Sequence, residues 1–219
     1  MLDELDVYDD LDPRSAALNM AVDETLLETA STPTLRFYRW RGPALSFGYF
    51  GAYADVADQC ESREIVRRWT GGGVVPHGDD LTYSVIIPAA HPFFGRSSLA
   101  VYSDVHAAIR VALRASGIDA TLANSVSPKV SENCFANAVR ADVIQSGRKI
   151  AGAAHRRSRA GLLHQGSIQN TELPLRFRDD FAHALCDRFE HRALWEELID
   201  RASTIAQAKY GTTKWLMRR

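Results

Sequence analysis

An α+β domain, with a mixed or antiparallel sheet and flanking helices, is the fold class this chain predicts. Three observations carry the prediction. Short alternating apolar runs, bounded by Gly, Pro, Ser and Asn, fill the centre from residue 34 to residue 169. Helix-period stripes lie on either side of that centre and within it. No repeat, low-complexity tract or linker interrupts the chain, so residues 1–219 read as a single domain.

The elements follow in order. Residues 14–30 read as a helix with Asp12-Pro13 as its start signal and Leu18, Ala21, Val22, Thr25 and Leu26 on one mostly apolar stripe. Thr34 to Trp40 and Ala44 to Tyr49 read as paired strands around Arg41-Gly42-Pro43. Glu64 to Trp69 and Thr82 to Pro88 are further strands on either side of a glycine loop. Ser97 to Ser116 reads as a second helix, with Gly117 in the C′ position. Residues 125–140 lack periodicity and read as a loop. Strands return at 141–146, 149–154 and 162–169, and helices at 176–189 and 193–205.

Composition narrows the function. Charged residues make up 24% and the formal net charge is −1, without the excess of Lys and Arg that a nucleic-acid partner requires. No apolar run approaches the roughly 20 residues of a membrane span, and the acidic start Met1-Leu2-Asp3-Glu4-Leu5-Asp6 lacks a signal pattern. Cys60, Cys134 and Cys186 are too few and too scattered for a disulfide framework or a structural zinc site. The expected compartment is the cytoplasm, with no metal.

Two segments carry chemistry. In Arg67-Arg68-Trp69-Thr70-Gly71-Gly72-Gly73, followed by His77, consecutive glycines remove every Cβ, so backbone N–H groups can approach a ligand. The adjacent guanidinium forks suit a phosphate or a carboxylate. On its own a glycine triplet is a flexible turn. This one opens no helix and precedes no Lys-Ser or Lys-Thr pair, so it is neither a dinucleotide fingerprint nor a P-loop. The second segment, Asp142 to Gly152, alternates, turns at Ser146-Gly147 and alternates again, as a β-hairpin does. Lys149 stands just past the turn among Ala151, Gly152, Ala153 and Ala154, where its ammonium can reach a bound carbonyl or phosphate. Alone, it is a solvated hairpin lysine.

With Asn19 to Glu24, Leu35 to Trp40, Ala44 to Tyr49 and His164-Gln165-Gly166-Ser167, these motifs stand in the order found in the biotin/lipoate protein ligase superfamily. The chain resembles its lipoate–protein ligase A-like catalytic domain, in the octanoyltransferase form, from about residue 14 to 170. The resemblance implies the catalytic fold shared by biotin ligases and class II aminoacyl-tRNA synthetases. It also implies that a medium-chain acyl group is joined to one lysine of a lipoyl domain. Such domains occur in 2-oxoacid dehydrogenase E2 subunits and the glycine cleavage H protein.

The resemblance allows two routes. In the transferase route octanoyl–acyl carrier protein donates, Cys134 is the nucleophile, Lys149 anchors the carbonyl, and no cofactor is needed. Cys134 precedes Phe135 and lies before the Gly-Arg-Lys hairpin, as the octanoyltransferase cysteine does. As a residue type alone it is a small buried filler. Arg68, Gly71, Gly72, Gly73, His77, Asp142, Gly152, His164 and Gly166 are the expected substrate-binding set, with His77 and His164 as candidate bases. In the ligase route ATP and Mg²⁺ make an acyl-adenylate whose phosphate is held by Arg68 and the glycine loop. Ligases commonly carry a C-terminal accessory domain, and none is expected here. A third reading is a non-catalytic protein that binds a lipoyl domain or an acyl ligand. Lys149→Ala is expected to remove activity with little loss of folding.

Remaining residues read more plainly. Cys60 and Cys186 are assigned to packing, and His91 and His106 to surface or helix positions. Arg156-Arg157-Ser158-Arg159 reads as a basic turn, either solvated or in contact with an acidic carrier. Trp40, Phe47 and Tyr49 are either core or the lining of an acyl tunnel.

Overall fold

A computed structural model describes residues 2–124 and 138–218. In chain order the elements are β1 (Leu5–Arg14), α1 (Ala16–Thr29), β2 (Thr34–Trp40), β3 (Ala44–Phe47), β4 (Glu64–Arg67), β5 (Val75–His77) and β6 (Leu81–Pro88). Then come α2 (Ser98–Ala115), β7 (Thr121–Leu122), β8 (Val143–Gln145), β9 (Arg148–Arg157), β10 (Gly161–Ile168), α3 (Phe177–Leu185), β11 (Phe189–Arg192), α4 (Glu196–Ile205) and α5 (Thr213–Leu216).

The main sheet runs β11-β1-β2-β6-β10-β9-β8-β7. It is mixed: β1 is parallel to β11 and β2, and the other pairs are antiparallel. Helix α2 and α3 pack on one face over Leu35, Phe37, Tyr83, Val85 and Leu162. Helix α1, backed by α4, covers Tyr38, Ile86 and Leu163 on the other face. That alternation is the period of two dictated by a pleated strand. No helix among the described residues is long and apolar enough to cross a membrane.

Local chemistry moves some of the expected boundaries. Asp12 and Pro13 end β1 rather than start α1. The helix begins after Ser15, whose hydroxyl accepts from the Leu18 amide at 3.3 Å, an N-cap bond. β2 and β3 do not pair with each other. β2 lies between β1 and β6, whereas β3 forms a second sheet in the order β4-β3-β5, so Arg41-Gly42-Pro43 carries the chain from one sheet to the other. Both strands bury nearly every residue, and such strands reveal no partner through alternation. Residue 189 opens β11 instead of closing a helix. Arg156 and Arg157 belong to β9, so only the following residues form the turn. Cys60 is exposed rather than packed, whereas Cys186 is buried.

Helix α5 is latched by one side chain. The buried Arg67 guanidinium donates to the carbonyls of Trp215, Leu216 and Arg218, and also to those of Tyr49 and Gly51, all at 2.7–3.1 Å. In return Trp215 Nε1 donates to the Arg67 carbonyl at 3.0 Å. Carbonyls that no helix satisfies are thereby paired, and the C-terminal segment is tied to the strand that leads into the glycine loop.

Candidate active site

A cleft opens between the two sheets. Its lining includes Lys149, Gly152 and Ala154 from β9, Gln165 and Ser167 from β10, Trp40 and Thr82, and, from the small sheet and its loop, Ser46, Arg68, Val75 and His77.

The β8–β9 hairpin places the lysine. Ser146 and Gly147 both have positive φ, 50° and 77°, as a two-residue primed turn demands. Register shifts in the returning strand, where Ile144 faces Lys149 but Val143 faces Ala151, and this bulge re-aims the side chain. Lys149 Nζ lies 2.8 Å from Asp142 Oδ2, with both side chains almost fully buried. Asp142 is pinned further: the Val139 amide donates to Oδ2 at 2.7 Å, and the Tyr102 hydroxyl donates a short hydrogen bond to Oδ1. Tyr102, on α2, also accepts from the Ala153 amide at 3.2 Å. Burial, reinforced by the Asp142 carboxylate, pushes the Tyr102 phenol far above its ordinary range. It therefore acts as a donor to Asp142 and not as an acid.

Opposite the lysine, Arg68 organises the glycine loop. Its guanidinium donates to the carbonyls of Gly71 (3.0 Å) and Gly73 (2.8 Å) and to Ser46 Oγ (2.7 Å). Gly72 has φ 87°, and its carbonyl lies where a Cβ on Gly48 would be, so loop and strand touch backbone to backbone. The triplet itself is not part of the cleft lining, which takes Arg68 and Val75 from either side of it.

His77 does line the cleft, but both of its nitrogens are engaged. Nδ1 lies 2.8 Å from Asp80 Oδ2 and Nε2 lies 2.6 Å from Ser46 Oγ, with Trp40 stacked on the ring at 4.0 Å. Burial lowers its pKa, and Arg68 and Arg63 add repulsion against the pull of Asp80. A neutral ring that donates to Asp80 and accepts from Ser46 satisfies every partner. Burial alone would raise the Asp80 carboxyl. The His77 ring and the Ser167 and Thr82 hydroxyls outweigh it, and the group is lowered to about 2.

Gln165 couples the cleft to the core. It accepts from Thr70 of the loop at 2.8 Å and donates to Asp23 Oδ2 at 2.7 Å. Asp23 in turn receives Arg36 and Ser84 at 2.7 and 2.8 Å. The Asn19–Glu24 and Leu35–Trp40 motifs thus build a buried charged brace beneath the site.

His164 projects to the other face of the sheet. There it sits with His106, His155, Tyr102 and Tyr83, its ring centroid 5.8 Å from those of His106 and His155. It does not line the cleft, because adjacent positions on β10 alternate between faces and Gln165 takes the cleft side. Among the described residues no three His, Cys, Asp or Glu side chains are placed to hold a metal ion. Gly166, on β10, lines the cleft as expected, and the Tyr83 ring fills the space that a Cβ there would need. Phe47 packs under the small sheet with Leu45 and Val56. Cys134 lies outside the described residues.

Ser46, Asp80, Tyr102 and Gln165 join the site without having been expected there. Ser46 and Gln165 stand inside the Ala44–Tyr49 and His164–Ser167 motifs, and Asp80 follows His77 by three residues, so position gives each a signal. Tyr102, inside a helix, gives none.

Residues 15–192 match the lipoyl protein ligase A/B catalytic domain. The chain belongs to that family. It is 36% identical over 208 residues to the octanoyltransferase LipM of Oceanobacillus iheyensis, spanning 88% of this chain and 73% of that one. Against LipM of Anoxybacillus flavithermus the identity is 34% over 222 residues, spanning 89% and 79%. Among solved structures, Ta0514 of T. acidophilum, a lipoate protein ligase by its description, superposes with a TM-score of 0.77 at 22% identity, covering 99% of both chains. A lipoate-protein ligase A bound with ATP gives 0.74 at 22% identity, again covering 99% of both. These two show a shared fold, and the mixed sheet with flanking helices is the fold of this family.

Proposed function

We propose that this protein is an octanoyltransferase of protein lipoylation. It moves an octanoyl group from octanoyl–acyl carrier protein to the acceptor lysine of a lipoyl domain, through a thioester on Cys134. The observation that carries the reading is its 36% identity to an octanoyltransferase across 88% of the chain. In the first step the Cys134 thiolate attacks the acyl carbonyl of the donor thioester. A carbon–sulfur bond to Cys134 forms, the bond to the carrier's thiol breaks, and that thiol leaves with a proton. In the second step the neutral amine of the acceptor lysine attacks, an amide forms, and Cys134 departs and recovers its proton. Each attack gathers negative charge on the carbonyl oxygen, and Lys149, aimed into the cleft, stabilises it. No nucleotide is consumed. The acceptor is a lipoyl domain of a 2-oxoacid dehydrogenase E2 subunit or a glycine cleavage H protein.

The engagement of Arg68 with Ser46, Gly71 and Gly73 supports this route over adenylation, which asks Arg68 to hold a phosphate. The test is intact mass after incubation with octanoyl–acyl carrier protein without ATP. A hydroxylamine-sensitive octanoyl adduct, absent in Cys134→Ala, is the expected result. No adduct, together with Mg²⁺- and ATP-dependent modification of a lipoyl domain by free lipoate, overturns it in favour of a ligase.

A further inference from the structure

Two arginines beside the cleft have no role in the chemistry above. Arg156 lies on β9, on the same face as the cleft-lining Gly152 and Ala154, two positions beyond Ala154. Its guanidinium is clamped between two rings, 4.7 Å from the centre of Trp69 and 4.8 Å from that of Tyr49. Nη1 reaches the Trp69 carbonyl at 3.5 Å, and Nε is sealed without a partner. Arg218 stands over the same Tyr49 ring at 4.3 Å and over Trp215 at 5.0 Å. A third cation on these rings, Lys209, is neutralised by Glu24 at 2.6 Å. Among the described residues no carboxylate pairs with Arg156 or Arg218. Rings that hold two guanidinium groups, without a counter-charge and next to the Arg68–Gly73 loop, make a pre-organised anion seat.

Distance suggests which anion. The Lys149 ammonium lies against Gly152, so Arg156 stands four residues further along the strand, about 13 Å at the usual rise per residue. A thioester carbonyl resting at Lys149 is therefore an arm's length from the seat. Acyl carriers present their thiol on a long arm that ends in a phosphate ester. We propose that Arg156, with Arg218 on the same Tyr49 ring, seats that phosphate and so selects acyl donors that bear it. This rests on the transfer reading above.

The test uses three octanoyl donors without ATP: octanoyl-pantetheine, its 4′-phosphate, and octanoyl–acyl carrier protein. Rates of octanoyl-adduct formation give kcat/KM for each. Ratios between donors are compared, because they cancel any loss of folded protein. For Arg156→Gln the preference for phosphorylated over unphosphorylated arm falls about tenfold or more. Arg156→Lys retains part of it, and Arg218→Gln loses a smaller part. If the phosphate preference holds but the preference for the protein-borne donor collapses, the seat binds carboxylates of the carrier and the phosphate assignment is overturned. If neither ratio moves, the seat itself is refuted while transfer stands. If the wild-type protein takes octanoyl from no donor, the transfer reading fails and this inference fails with it.

Discussion

Lys149 Nζ and Asp142 Oδ2 lie 2.8 Å apart, and the two side chains are 5% and 0% exposed. The hairpin lysine thus arrives in the cleft with a buried counter-charge. Removing one member of such a pair strands the other, and breaking a buried pair typically costs about 3–5 kcal/mol. Lys149→Ala should therefore lose both activity and stability, not activity alone. Lys149→Met combined with Asp142→Asn should regain much of the stability and none of the turnover. Urea midpoints and acyl-adduct rates measured on the same variants check both halves. Equal stability of Lys149→Ala and wild type would contradict the pairing.

Gly152 sets where that ammonium rests. A Cβ at this position would lie 2.6 Å from Lys149 Nζ, closer than packing allows. The obstructing atoms are the tip of a flexible side chain, so the lysine gives way rather than the strand. Displacements near 1 Å in a reacting constellation can cost about a hundredfold. Gly152→Ala is expected to fold normally and to lose between about ten- and a hundredfold in kcat. A normal rate with an unchanged melting temperature would show that the ammonium position is not critical.

Much of this site was legible because its parts are local in sequence. The Ser-Gly turn, the alternation around it and the small residues after Lys149 are all consecutive, and the hairpin stands where they put it. What was not legible joins distant elements. Asp80, His77 and Ser46 link β5 to β3 through one imidazole, and no spacing rule connects positions 46 and 80. β1 carries Asp6, Asp9, Asp10 and Asp12, which disguise a strand. Asp10 is buried there because Arg36 and Arg14 neutralise it. β11 is four largely exposed residues on a sheet edge, too short and too polar to announce itself.

The histidine cluster makes acid sensitivity predictable. Burial lowers His106 to about 4, only partly offset by Asp142, and burial also lowers His155 and His164. A histidine that resists protonation when folded, but takes a proton near pH 6.5 when unfolded, favours the unfolded chain in acid. Stability should be at its plateau above pH 6.5 and fall as pH drops toward 4. His106 alone contributes on the order of 3 kcal/mol to that fall. Asp80 acts in a lower window: its stabilisation is present above its ordinary value near 3.8 and is lost as pH falls through about 2. Denaturant midpoints between pH 7 and 4 test the sign. A profile flat across that range, or one that rises in acid, would sink it.

Tyr102 stands 40 residues before the carboxylate it steadies. Its hydroxyl donates to Asp142 and accepts from the Ala153 amide, so one phenol fixes both the counter-charge of Lys149 and the strand beside it. Tyr102→Phe keeps the ring and its contacts with His106 and His164 but removes both bonds. The half-buried Ala153 amide loses its partner, at a cost near the low end of about 1–3 kcal/mol. Among the described residues Asp142 then keeps Lys149 and the Val139 amide, and the ammonium gains freedom it does not have in the wild type. The expected pattern is a lower kcat with KM for the acyl donor little changed, since the phenol does not line the cleft. The pH–rate profile should shift as well, because the field at Lys149 changes. Asp142→Asn in the Tyr102→Phe background separates the roles. If Tyr102 acts through Asp142, the two losses combine to less than their product. Losses that simply multiply would place Tyr102 in packing alone.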